Sequence, residues 1–255
     1  MKTLWTVRIV TAMVFALAVA PAAKAVVMVG FKLGSVGTTP LFTYSNSGTV
    51  GDLTDDTLVA ANTVDFSVSV NGGTETTFDD AEFNFSLSEA PTILASGSDV
   101  TLFLTGSFTV SDGVDDILTV SFSNAELHFN ATQFGNDYMV NTNGTAGGSI
   151  FANNLLPSQN VVYTAGTNAT FLGLLGGMDF GGAQELSFTV ESLDEAVPFM
   201  DGGTDIVFNG NPEGVGENFV FSSSFSGQSE LVPEPAALGM IGMGLLVIVR
   251  RRRSA

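Results

Sequence analysis

The chain contains no cysteine, which excludes disulfides, thiolate metal sites and cysteine nucleophiles. It has one histidine, His128, so a multi-histidine zinc centre cannot be built within one chain. Basic residues are scarce: of the eight Lys and Arg, only Lys32 lies between Val26 and Leu231. The same interval holds 25 of the 26 acidic residues, giving it a formal charge of −24 with histidine neutral. Such a surface repels phosphate backbones and excludes nucleic acid as a partner. The one tryptophan, Trp5, lies near the start, leaving Tyr44, Tyr138 and Tyr163 as the other polar aromatics. That is a poor supply of stacking platforms for a lectin or a glycosidase. No Gly-x-Ser-x-Gly surrounds a serine, and the glycines of residues 173–182 form neither Gly-Lys-Ser nor Gly-x-Gly-x-x-Gly. Hydrolase and nucleotide-binding signatures are therefore missing, and no catalytic residue is assigned.

The two ends carry the clearest signals. Lys2 and Arg8 give residues 1–25 a positive start, Ile9–Ala20 is almost wholly apolar, and Ala23-Lys24-Ala25 fits small-x-small cleavage. These are the parts of a signal peptide, with a signal helix cut by signal peptidase before Val26. At the other end, Val232-Pro233-Glu234-Pro235 leads into an uncharged run, Ala236–Val249, and then into Arg250, Arg251, Arg252 and Arg253. Those 14 apolar residues span about 21 Å as a helix, against a bilayer core of about 30 Å. Thinning of the bilayer and snorkelling arginines would let this short transmembrane helix span. The arginines act as a membrane stop and stay cytoplasmic, which puts the body outside the inner membrane.

Proline-flanked Glu234, a short apolar helix and an arginine cluster, in that order, resemble the PEP-CTERM protein-sorting tail. The resemblance covers residues 232–255 only. It implies recognition and cleavage by an exosortase, a membrane-embedded protease. It also implies a setting of exopolysaccharide production, with delivery to the cell surface or the extracellular space. Val232, Pro233, Glu234 and Pro235 carry over as the sorting motif, as substrate residues. Two prolines keep such a segment extended and commit few backbone donors, which suits a protease substrate.

Residues 26–231 read as one all-β domain. Val100, Leu102, Leu104, Phe108 and Val110 alternate with Thr101, Phe103, Thr105, Ser107 and Thr109, and Gly106 on the apolar phase suggests a bulge. Ser111-Asp112-Gly113 is a turn signal before a return strand through Leu118, Val120 and Phe122. The same alternation occurs near Val64–Val70, Phe83–Leu87, Leu186–Val190 and Phe219–Phe225, while 172–175 is ambiguous. Many short strands predict an antiparallel β-sandwich, jelly-roll-like, with the 21 phenylalanines filling its core. Edge strands lacking lysine would need carboxylates such as Asp79, Asp80 and Glu82 for protection.

Acidic groups also occur at Asp52, Asp55 and Asp56, and at Asp112, Asp115 and Asp116. Turn carboxylates are hard oxygen donors suited to calcium, and Asp112, Asp115 and Asp116 are the first choice for a metal site. None matches a known calcium loop, and for any single cluster a solvated acidic face is the favoured account. The expected function is that of a non-enzymatic, exported surface or matrix protein, associated with exopolysaccharide or biofilm. The alternatives are a calcium-dependent glycan-binding or adhesive module and, behind it, a secreted hydrolase.

Overall fold

The computed structural model describes residues 27–34, 41–45, 57–96, 98–134, 137–141, 148–195, 205–209 and 219–233. Fourteen strands and one short helix account for nearly all of them. The strands are β1 (Val27–Gly34), β2 (Leu41–Ser45), β3 (Thr57–Val70), β4 (Thr76–Leu87), β5 (Thr92–Ser96), β6 (Asp99–Ser111), β7 (Asp116–Asn130) and β8 (Thr132–Phe134). They continue as β9 (Asp137–Asn141), β10 (Gly148–Asn153), β11 (Asn160–Ala165), β12 (Met178–Glu195), β13 (Asp205–Asn209) and β14 (Phe219–Pro233). The helix, α1, covers Ala169–Leu175 between β11 and β12.

The chain is all-β and antiparallel, as its alternation predicts. In β6 the buried and half-exposed residues alternate from Leu104 to Ser111, the period that a strand with one wet face requires. The two layers of the expected sandwich are opposite walls of one sheet. Pairing runs β7–β10–β12–β14–β1–β3–β4–β6 and returns to β7 through the β6–β7 ladder, closing a ring of eight strands. Shorter strands share the ring in tandem: β5 continues beside β6 where β4 ends, β11 beside β7, and β2 between β14 and β3. A separate ribbon pairs β13, β9 and β8.

Closure corrects one expectation. Glu82 does not guard an edge, because it pairs with Thr63 on β3 and with Ser111 on β6, whereas Asp79 and Asp80 precede the β6 ladder and lie at the register shift in the β3 ladder. A closed ladder removes the long edges that charges would otherwise protect.

Phenylalanine fills the interior. Phe188 on β12 is fully buried, with its ring centroid 5.4 Å from Phe42, 6.2 Å from Phe83, 5.6 Å from Phe108 and 4.8 Å from Phe225. Because β12 lies opposite β4 in the ring, these contacts hold the two walls together. Each buried ring contributes about 1.5–3 kcal/mol of burial free energy before packing is counted.

Local residue types explain the breaks between and within strands. Asn71 and Gly72 both adopt positive φ (54° and 64°) between β3 and β4, a geometry that favours Asn-Gly. The bulge expected at Gly106 is a register shift between Leu104 and Gly106 in the β6–β7 ladder. A Cβ there would lie 2.3 Å from the Ser86 carbonyl oxygen, so only glycine lets β4 approach. The ambiguous segment at 172–175 is helical. Asn168 caps it by accepting the Phe171 N–H at 3.0 Å, and Gly176 ends it in the left-handed region.

Among the described residues no helix is long and apolar enough to cross a membrane. The expected signal peptide with Ala23 and Ala25, the apolar run and Arg250–Arg253 lie outside the described residues.

Candidate functional site

All neighbours in the ring are antiparallel, so its strands alternate in direction. One end of the barrel therefore gathers the starts of β1, β4, β7 and β12 and the ends of β3, β6, β11 and β14. The first and last described strands meet at this end: Val27 pairs with Leu231. On its other side β14 pairs with the start of β12, Asp179 with Val232 and Met178 with Pro233. The sheet thus extends two residues past the expected domain boundary at Leu231. Val232 and Pro233 are strand residues paired with β12 alone, at the end of a strand that β1 and β2 flank on its other side as far as Leu231. Proline donates no backbone hydrogen bond, so it suits the final position of a ladder. Glu234 and Pro235 lie outside the described residues.

The same end carries the acidic turn between β6 and β7. Asp112 Oδ1 accepts the N–H groups of Val114 (2.9 Å) and Asp115 (2.8 Å), and Oδ2 accepts Asn168 Nδ2 at 2.7 Å. The Asp115 and Val114 backbone donors, in that order, hold the Asp112 carboxyl below its ordinary range, with Asn168 assisting. Asp115 Oδ1 accepts the Thr167 hydroxyl at 3.3 Å, and the Asp116 carbonyl accepts the Asn168 N–H at 3.0 Å. These carboxylates tie the turn to the N-cap of α1. Among the described residues no three acidic or histidine side chains gather to hold a metal ion. Asp112, Asp115 and Asp116 do not converge, and both oxygens of Asp112 accept hydrogen bonds from the chain itself. Asp52, Asp55 and Asp56 lie outside the described residues.

Cross-strand register brings one further group of polar side chains together. Thr101 and His128 are paired across β6 and β7, with Thr101 Oγ1 2.9 Å from His128 Nδ1. His128 Nε2 is 2.8 Å from Glu126 Oε2, and Glu126 Oε1 accepts Gln159 Nε2 at 3.0 Å. Hydroxyl, imidazole and carboxylate are in the order of a nucleophilic relay. Thr101 is only 7 % exposed, however. The relay orients His128 on the outer face.

Of the three tyrosines, Tyr44 and Tyr163 are buried and offer no stacking surface. The Tyr163 hydroxyl donates to the Glu185 carbonyl at 2.6 Å. Burial, and secondarily the Glu185 charge, push its pKa far up. Tyr138 lies on β9, paired with Phe208 and Gln133.

Among known families, the PEP-CTERM protein-sorting motif matches residues 231–253. The chain carries a PEP-CTERM sorting tail. None of the curated proteins or solved structures compared with the chain matches it.

The match confirms the resemblance seen in Val232–Pro235 and the arginines. It also fixes the geometry of the PEP-CTERM junction. The motif starts at Leu231, inside β14, so its first three residues belong to the folded barrel. Residue 234 follows with no intervening linker. A PEP-CTERM tail attached in this way ties the fate of the processed segment to one defined end of the body.

Proposed function

We propose that this chain is a non-enzymatic surface protein, exported across the inner membrane and held there by its tail until an exosortase processes it. The observation that carries this reading is the PEP-CTERM motif over residues 231–253, continuous with the central strand β14. The body is the delivered cargo: a closed barrel with a strongly acidic exterior, suited to a hydrated extracellular polysaccharide layer. Signal peptidase and exosortase act on this chain as processing enzymes, and its association with exopolysaccharide is through the acidic outer face.

Localisation and mass test the proposal. The parent chain should lose its tail and leave the inner membrane. A variant carrying Pro233→Ala, Glu234→Ala and Pro235→Ala should accumulate at full length in the membrane fraction. Equal mass and equal location for both chains would refute it.

A further inference from the structure

We infer that, while the tail is anchored, the barrel stands on its tail-bearing end, and that the β6–β7 turn and α1 form a foot resting on the lipid surface. The inference rests on the sorting reading above and adds the orientation and the contact.

Chain length imposes the contact. Pro233 is still paired in the sheet, and only Glu234 and Pro235 separate it from the apolar run that begins at Ala236. Two extended residues reach about 7 Å. With Ala236 at the bilayer boundary, the end of β14 cannot stand farther off than that, so the neighbouring turns of that end meet the headgroups.

The residues at this end fit the role. Met178 pairs with Pro233, and α1 ends at Leu175, three residues earlier, within about 11 Å of chain. The helix sequence Ala169–Leu175 contains no charge, and Leu172 is 43 % exposed on it. At the tip of the β6–β7 turn Val114 is 89 % exposed, the most exposed of the large apolar residues described. The Asp112–Asn168 hydrogen bond at 2.7 Å joins the two elements. Two exposed apolar side chains therefore sit on a braced pair of elements at the tail-bearing end of the barrel.

The carboxylates of Asp112, Asp115, Asp116 and Asp179 share this end. They disfavour an anionic surface and favour a zwitterionic one. Val114 and Leu172 alone are too little apolar surface for stable binding. The tether supplies the effective concentration that makes a weak contact persistent.

The chain has no cysteine, so single sites can be labelled cleanly. The full-length protein is reconstituted into zwitterionic phosphatidylcholine vesicles as Val114→Cys, Leu172→Cys or Leu94→Cys, each carrying an environment-sensitive fluorophore. Leu94 is the control: it is 56 % exposed on β5 and pairs with Thr101, toward the opposite end of the barrel. The expected result is co-flotation with vesicles. Labels at 114 and 172 should be blue-shifted and lose most of their emission to a nitroxide-bearing lipid, while the label at 94 keeps its emission. Co-flotation with all three labels unquenched would overturn the foot and leave the tail reading intact. Quenching at all three would overturn the end-on orientation. Failure to float would overturn both readings. Should a labelled variant unfold, amide exchange of the parent protein in the same vesicles gives the answer. Protection of 112–116 and 169–177 relative to the exosortase-cleaved protein supports the contact, and unchanged exchange refutes it.

Discussion

Replacing Phe188 by alanine removes the side chain that touches most of the barrel's aromatic interior. Its ring is fully buried and lies within 6.2 Å, centroid to centroid, of Phe42, Phe83, Phe85, Phe108 and Phe225. Truncating a buried Phe costs about 3–5 kcal/mol, the cost rising with the cavity left behind. Edge-to-face partners add about 0.5–1.5 kcal/mol per pair. Here the neighbours belong to β2, β4, β6 and β14, two of them across the interior, and a closed ladder cannot collapse inward without breaking hydrogen bonds. The expected loss is therefore at the upper end, about 4–5 kcal/mol. Against a total of ~5–15 kcal/mol this is a large share. With a urea dependence of ~2–3 kcal/mol per molar, the unfolding midpoint falls by about 1.5–2 M. Far-ultraviolet circular dichroism over a urea titration reads this directly, and Phe188→Leu, which keeps most of the volume, should lose only about 1 kcal/mol. A loss below about 1 kcal/mol for the alanine variant would show that the walls are not held together through this ring.

Gly106→Ala places a methyl group 2.3 Å from the Ser86 carbonyl oxygen and 2.8 Å from Leu87 Cα. A cost of about 2 kcal/mol or more is expected in the same titration, because backbone rather than a flexible side chain must move. Asp112→Ala should narrow the difference from the parent as the solution is acidified. The folded-state pKa of Asp112 is lowered, so its stabilisation is present above its ordinary value near 4 and is lost as pH falls through the folded value. Melting curves from pH 7 down to pH 3 check this, and a gap that widens in acid would refute it.

The strands were legible because burial in a half-wet sheet imposes period two. Val100–Val110, Leu118–Phe122 and Leu186–Val190 carry that period in their own residues. Closure was not legible. The pairing of Val27 with Leu231 joins residues from opposite ends of the chain, and nothing local in either strand specifies the other. The α1 helix was obscured for a different reason. Seven residues with glycines after them leave little room for a helical period, and the decisive signal was Asn168 as its cap. The acidic turn was read for its charge, whereas its short spacing lets Asp112 satisfy backbone donors of its own turn. The Thr101–His128–Glu126 contact depends on cross-strand register, which a bulge at Gly106 shifts by one residue and which sequence alone does not give.

Pairing the first strand with the last sets a timetable for export. A polypeptide threaded outward from its amino end delivers Val27 early and Phe219–Pro233 late, yet the seam between β1 and β12 stays open until that late segment slots in. Such long-range closure is slow compared with local hairpins, because the loop entropy is lost before the contacts repay it. The barrel can therefore seal only when translocation has nearly run its course, at the moment the membrane-bound tail arrives. Folding, tethering and cutting converge on the same few residues, so the cut frees an already finished body.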